Sequence, residues 1–152
     1  MGPRQWSRLQ SLFHARNELI LNLFGMTSKT EIKREGLKMA SSFYIVNHHF
    51  KPGMAAEWWG KTGALMSDEA AFTENIKSTM EKGFFNHSFM PMAAEGPIYC
   101  VWEAKEGISD SEFQDFIDGP DGVNWGLVAL NNNVMKLDLA LTGGQTPYER
   151  KF

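Results

Sequence analysis

The run Phe43-Tyr44-Ile45-Val46-Asn47-His48-His49-Phe50, halted by Lys51-Pro52-Gly53, constrains this chain more than any other segment. Aromatic and β-branched residues suit the pleated, half-buried surface of a strand, and Pro and Gly stop it. Successive strand side chains point to opposite faces, so His48 and His49 cannot serve one site from one side. One of the two is expected to face a cavity. Two histidines on a strand covered on both faces are costly unless each finds a hydrogen-bonding partner.

The remainder alternates between helix-type and strand-type patterns. Met54 to Trp59 reads as a short helical turn interrupted by Gly60 and Gly63. Ser67 reads as an N-cap, with Asp68 and Glu69 in the first turn of a helix whose buried face is Phe72, Ile76 and Met80. Gly83 is placed to end it. Phe84 to Met92 is a second strand, Ala93 to Gly96 a hairpin connection, and Pro97 to Glu103 a third strand. Ser109 caps a second helix with Phe113, Phe116 and Ile117 inside, ended by Gly119-Pro120. Val123 to Asn133 is ambiguous, with Asn131-Asn132-Asn133 reading as a turn. The last strand is expected over Met135 to Leu141, where apolar and polar residues alternate. The order strand–helix–strand–strand–helix–strand is that of a split βαβ unit, which puts the first strand between the third and fourth.

Over residues 41–142 the chain resembles the ferredoxin-like dimeric α+β barrel superfamily, especially its small single-domain members. The strand FYIVNHHF followed by KPG and a helix carries the resemblance. So does the hairpin ending GPIYCVWEA, with the short helix SDSEFQDFI directly after it. The resemblance implies an α+β, ferredoxin-like βαββαβ sandwich that dimerises by joining two sheets face to face, with helices outside. It also implies a pocket between each sheet and its helices. Members include heme-degrading and quinone-forming monooxygenases, small-acid isomerases, stress-responsive proteins and metal-responsive proteins. Fold alone does not choose among them.

Charge divides the chain. Residues 1–40 carry seven Lys or Arg against three acids, whereas residues 41–152 carry eight against fifteen. Trp6, Leu9, Phe13, Ile20 and Phe24 recur at roughly helical spacing in the basic part, which reads as an amphipathic N-terminal extension or an organellar presequence. A natural start at Met26 or Met39 is a third reading. The acidic domain disfavours nucleic acid, since phosphate contacts supply most of that affinity. No segment has the roughly 18 uninterrupted apolar residues of a membrane span. One cysteine, Cys100, fits a reducing compartment: the cytoplasm, or a mitochondrion or plastid if residues 1–40 are a presequence. Residues 143–152 read as a polar tail.

Residue type and placement select the candidate site residues. His48 or His49 is the candidate acid–base group, because an unperturbed imidazole titrates near neutrality. Asn47, Trp58, Trp59, Phe72, His87, Tyr99 and Trp102, with Met80, are the candidate lining of a largely apolar pocket. A metal site would need a strand histidine, His87 and either Cys100 or Glu57 to converge. No motif specifies a cofactor. Three functions remain open: a small homodimeric barrel binding an apolar or aromatic ligand or a metal; a cofactor-independent monooxygenase or isomerase; and an interaction subunit docking through its N-terminal helix.

Overall fold

The computed structural model describes residues 40–152, so the basic extension and its presequence and docking readings lie outside the described residues. The elements are β1 (Ser42–Phe50), α1 (Ala55–Ser67), α2 (Glu69–Glu81), β2 (Phe84–Pro91), β3 (Ile98–Ala104), α3 (Asp110–Asp118) and β4 (Leu130–Lys136), with a 3₁₀ turn at Leu139–Thr142 after them. They form a mixed α+β fold with one four-stranded sheet in the order β2-β3-β1-β4, every pairing antiparallel. As expected, β1 is central, and both its edges are hydrogen-bonded.

Alternation along β1 sorts the side chains. Tyr44 and Val46 face the helices, in a core with Ile98, Cys100, Trp102 and Ala104 of β3, Trp58 and Trp59 of α1, and Phe113 and Ile117 of α3. A second apolar cluster of Met66, Phe72, Ile76 and Phe85 lies under α2. The opposite face carries Ile45, Asn47 and His49, set against Val101 and Tyr99 on β3 and Met135, Asn133 and Asn131 on β4. A register shift in β2 between Asn86 and Ser88 inserts His87 as an extra residue. The bulge re-aims the second half of β2, so Phe89 packs on Trp58 and Trp59 while His87 turns to the other face.

Local expectations fail at five places. The turn expected to break at Gly60 and Gly63 is instead a helix of 13 residues running through both. The cost of the glycines, about 1 kcal/mol each relative to Ala, is offset by burial of Ala55, Trp58, Trp59, Thr62 and Met66 on one stripe. Ser67 does not cap α2. Its hydroxyl donates back to the carbonyls of Gly63 and Ala64, and Asp68 takes the N-cap by accepting from the Ala71 N–H at 3.0 Å. The capping box at Ser109 and Glu112 forms as expected.

The last strand begins at Leu130 and ends at Lys136, so Asn131-Asn132-Asn133 is strand and not turn. Asn132 pairs with His48 across the ladder and spends its side chain on tertiary hydrogen bonds, an outcome that overrides local propensity. Beyond Lys136 the alternation expected to Leu141 is not strand: Leu139 to Thr142 is a 3₁₀ turn capped by Asp138, and Leu141 is 86 % exposed. Finally, residues 146–152 fold back on the sheet. Tyr148 stacks on His87, Arg150 lies over the Phe43 ring and donates to Ser41, and the Lys151 and Phe152 amides donate to Glu103.

A Cβ built at Gly60 meets nothing within 4 Å. Gly60→Ala is therefore expected to raise stability by about 0.5–1 kcal/mol through helix propensity, read as a higher urea midpoint with an unchanged slope. A lower midpoint would show that the bare backbone is required there.

Candidate functional site

Between the helix face of the sheet, α1 and α2 lies a cavity with apolar walls. Trp58, Leu65, Met66, Phe72, Ile76, Phe85, Phe89, Trp102, Val123 and Trp125 line it, with Thr62, Asn75, Thr79 and Asn86 as its polar members. Its volume is about 590 Å³, counting the part open to solvent. No acidic or basic side chain is among the lining residues.

Its roof is the segment after α3, and tryptophans hold it in place. The Trp58 indole donates to the Val123 carbonyl at 2.6 Å, and the Trp125 indole donates to Thr62 Oγ1 at 2.9 Å. Trp125 sits at φ 52°, a left-handed conformation uncommon for a bulky residue, between these two anchors. Asn124 adds a third anchor by accepting from the Leu130 N–H at 2.9 Å.

His48 lies on the same face of the sheet but outside this lining. It is 1 % exposed, and its Nδ1 lies 2.6 Å from Asn132 Oδ1. The Asn132 amide in turn donates to Asp118 Oδ1 at 2.7 Å, and Gln114 donates to Asp118 Oδ2 at 2.7 Å. These bonds assign the imidazole tautomer. A carboxylate only accepts, so Nδ2 of Asn132 faces Asp118 and its Oδ1 faces His48; Nδ1 must then carry the proton. Nε2 is left as a buried lone pair without a hydrogen-bond partner in the structure. Burial drives the imidazole pKa down to about 4, against smaller upward pulls from Asn132 and Asp118. His48 is neutral at pH 7.

On the opposite face, Glu103 is fully buried. His87 Nε2 contacts its Oε2 at 2.8 Å, Ser41 donates to Oε1, and the Lys151 amide donates to Oε2 at 2.9 Å. Burial raises the Glu103 pKa, but the bonds from His87, Ser41 and Lys151 outweigh it and hold the carboxyl below the usual range. This cluster fastens the chain end to the sheet.

The structure therefore divides the residues singled out in the sequence. Trp58, Phe72 and Trp102 meet in the cavity. Trp59 is buried beside Trp58 and donates to the Ala94 carbonyl. Asn47, His49, His87 and Tyr99 belong to the opposite face of the sheet, and His49 is exposed. The expected convergence of a strand histidine with His87 does not occur. His48 lies on the other face, and His49 is about six residues, roughly 20 Å, along the strand from the pair beside Glu103. Among the described residues no three of His, Cys, Asp and Glu form a group able to hold a metal. Cys100 is buried on the helix face, and burial pushes its thiol up to about 12, which disfavours the thiolate. Thr62, Val123, Trp125, Asn132 and Asp118 complete these sites and were not foreseen, since none lies in a segment whose local pattern specifies its tertiary partner.

Fold and site together define a small α+β domain with an uncharged apolar cavity under a tryptophan-pinned roof. Residues 43–145 match the family described as a domain of unknown function (DUF8652), and the chain belongs to it. No curated protein and no solved structure matches the chain. No helix among the described residues is long and apolar enough to cross a membrane.

The buried histidine has a measurable consequence. With a folded pKa near 4 against 6.5 for the free group, the unfolded chain holds the extra proton between those values. The stability contribution is complete above pH 6.5 and is lost as pH falls toward 4, a change of roughly 3 kcal/mol. Urea titrations across this window are expected to show the decline in the natural protein and its loss in His48→Leu. Asn132→Ala is expected to cost about 1–3 kcal/mol at pH 7 by stranding the Nδ1 proton. An unchanged midpoint would remove the assigned tautomer.

Proposed function

We propose that this protein is a homodimeric, ferredoxin-like α+β barrel protein that binds a small apolar or aromatic ligand between its sheet and helices. The observation that carries the reading is the cavity itself: four aromatic side chains from α1, β3, α2 and the roof segment, Trp58, Trp102, Phe72 and Trp125, enclose space with no charged wall. Ligand sites are mostly apolar with a few polar groups that set orientation. Adding toluene to ¹⁵N-labelled protein tests it. Shifts are expected at the Trp58, Trp102 and Trp125 indole resonances and around Ile76, and Ile76→Phe, which fills the space, should abolish them. Shifts scattered over the surface, or none, would sink the reading.

Support for the dimeric barrel comes from the β2-β3-β1-β4 order and from the sheet face opposite the main core. Ile45, Tyr99, Val101 and Met135 lie on it, and none joins either core cluster. Met135 is 42 % exposed. Light scattering should report a dimer at micromolar concentration, and Met135→Lys should shift it toward monomer; a stable natural monomer would remove the barrel. A cytoplasmic setting accords with a single, buried, unpaired cysteine.

A second reading, a cofactor-independent monooxygenase or isomerase, rests on one observation. His48 presents a neutral imidazole whose tautomer is held by Asn132 and Asp118 and whose Nε2 lone pair is unpartnered. A neutral imidazole with a free lone pair can accept a proton, and its pKa of about 4 makes it a weak base at neutral pH. His48 does not line the cavity, and this places the enzyme second.

A further inference from the structure

Residues 146–152 lie against the sheet face opposite the main core without forming a strand. Tyr148, Arg150 and Phe152 are half-buried and Glu149 is exposed, so alternate side chains turn toward the protein. Among the described residues, no backbone-to-backbone hydrogen bond holds this segment. A carboxylate and aromatic rings hold it instead. Glu103 accepts from the Lys151 and Phe152 amides at 2.9 and 3.4 Å. Tyr148 stacks on His87 with ring centres 5.0 Å apart, and Arg150 lies over Phe43 while donating to Ser41. Phe152 then packs against the cluster of Met66, Phe72, Ile76 and Phe85. All four members of that cluster line the cavity, and Phe152 does not.

Resting on the ligand-binding reading above, we infer that residues 148–152 are a detachable strap that keeps the α2 wall of the cavity in its ligand-binding shape, with Glu103 as the latch. Two features make the wall depend on it. Of the 13 residues of α2 only Phe72 and Ile76 are buried, so the helix has few anchors of its own. The strap also grips the strand side of the same cluster, where Lys151 Nζ lies 6.0 Å from the centre of the Phe85 ring. An element with few buried contacts opens at low cost, and a segment without ladder hydrogen bonds can leave with the sheet intact. A wall already fixed demands less ordering from a ligand than one the ligand must assemble. Docking of the strap and occupancy of the cavity therefore favour each other, and the coupling is equal in both directions. Arg150, whose partners Ser41 and Phe43 do not line the cavity, acts here as a positioning residue.

Toluene titrations of the full chain test this in the natural protein, Arg150→Ala and Phe152→Ala. Toluene is expected to bind both variants about tenfold more weakly, a common size for coupling between sites. Phe152→Leu, which keeps an apolar side chain against the cluster, should bind close to the natural protein. By reciprocity, saturating toluene should slow hydrogen exchange of the Lys151 and Phe152 amides in the natural protein by the same factor. A residue that merely stabilised the fold would leave both quantities unmoved in a folded chain. Where a variant does not fold, the exchange measurement decides the matter alone. Undiminished toluene affinity in Arg150→Ala, or exchange of both amides indifferent to toluene, would overturn the strap while leaving the cavity a ligand site. Failure of toluene to bind the natural protein would overturn the ligand-binding reading and this inference together.

Discussion

The rest of the structure depends on β1 being hydrogen-bonded along both edges. A strand paired with β3 on one side and β4 on the other cannot rotate to suit its side chains, so each residue takes the face its parity assigns. Tyr44 and Val46 are thereby placed under the helices, and His48 with them. His49 is driven to the other side and stays exposed. A slip of one residue would put both Asn47 and His49 against the core and push Val46 out of it. The apolar burial along β1 opposes such a slip, and His48 is carried inside as a consequence.

Once inside, His48 must be answered. Asn132 stands opposite it in the ladder and is oriented by Asp118, which closes α3, so the chain Asp118–Asn132–His48 ties the helix end to the sheet. Desolvation keeps the ring neutral, and the unpartnered Nε2 remains. The same reasoning governs Glu103 on the reverse face. It is tolerated because His87, Ser41 and two amides of the chain end converge on it. Each face of the sheet thus holds one polar cluster, and the two are separated by the sheet itself. That separation rules out a shared histidine site. It leaves the uncharged apolar cavity as a site of a different character, built without either histidine.

Much of the fold was legible from local pattern. The elements before residue 119 appear close to where periodicity, caps and Gly–Pro punctuation put them, and their order made β1 central. The failures have nonlocal causes. Gly60 and Gly63 read as breaks because propensity is a per-residue quantity, whereas the buried stripe that carries α1 across them acts over the whole helix. Asn131-Asn132-Asn133 read as a turn because the partners that make Asn132 useful in a strand, His48 and Asp118, lie 84 and 14 residues away. The chain end read as a polar tail because its acceptor, Glu103, is 48 residues from Lys151.

The sequence by itself determined that His48 and His49 must part company, that an aromatic-rich helix comes after β1, and that Trp58, Phe72 and Trp102 were candidates for one apolar pocket. Those conclusions rest on the two-residue period of a strand and on side-chain chemistry, both readable along the chain. Only the tertiary structure decided which histidine is buried, that Asn47, His87 and Tyr99 stand apart from the pocket, and that Asn132 answers the Nδ1 proton of His48. Parity separates residues into two faces but does not say which face the helices cover. Whether a donor is satisfied depends on atoms brought close by folding from distant parts of the chain.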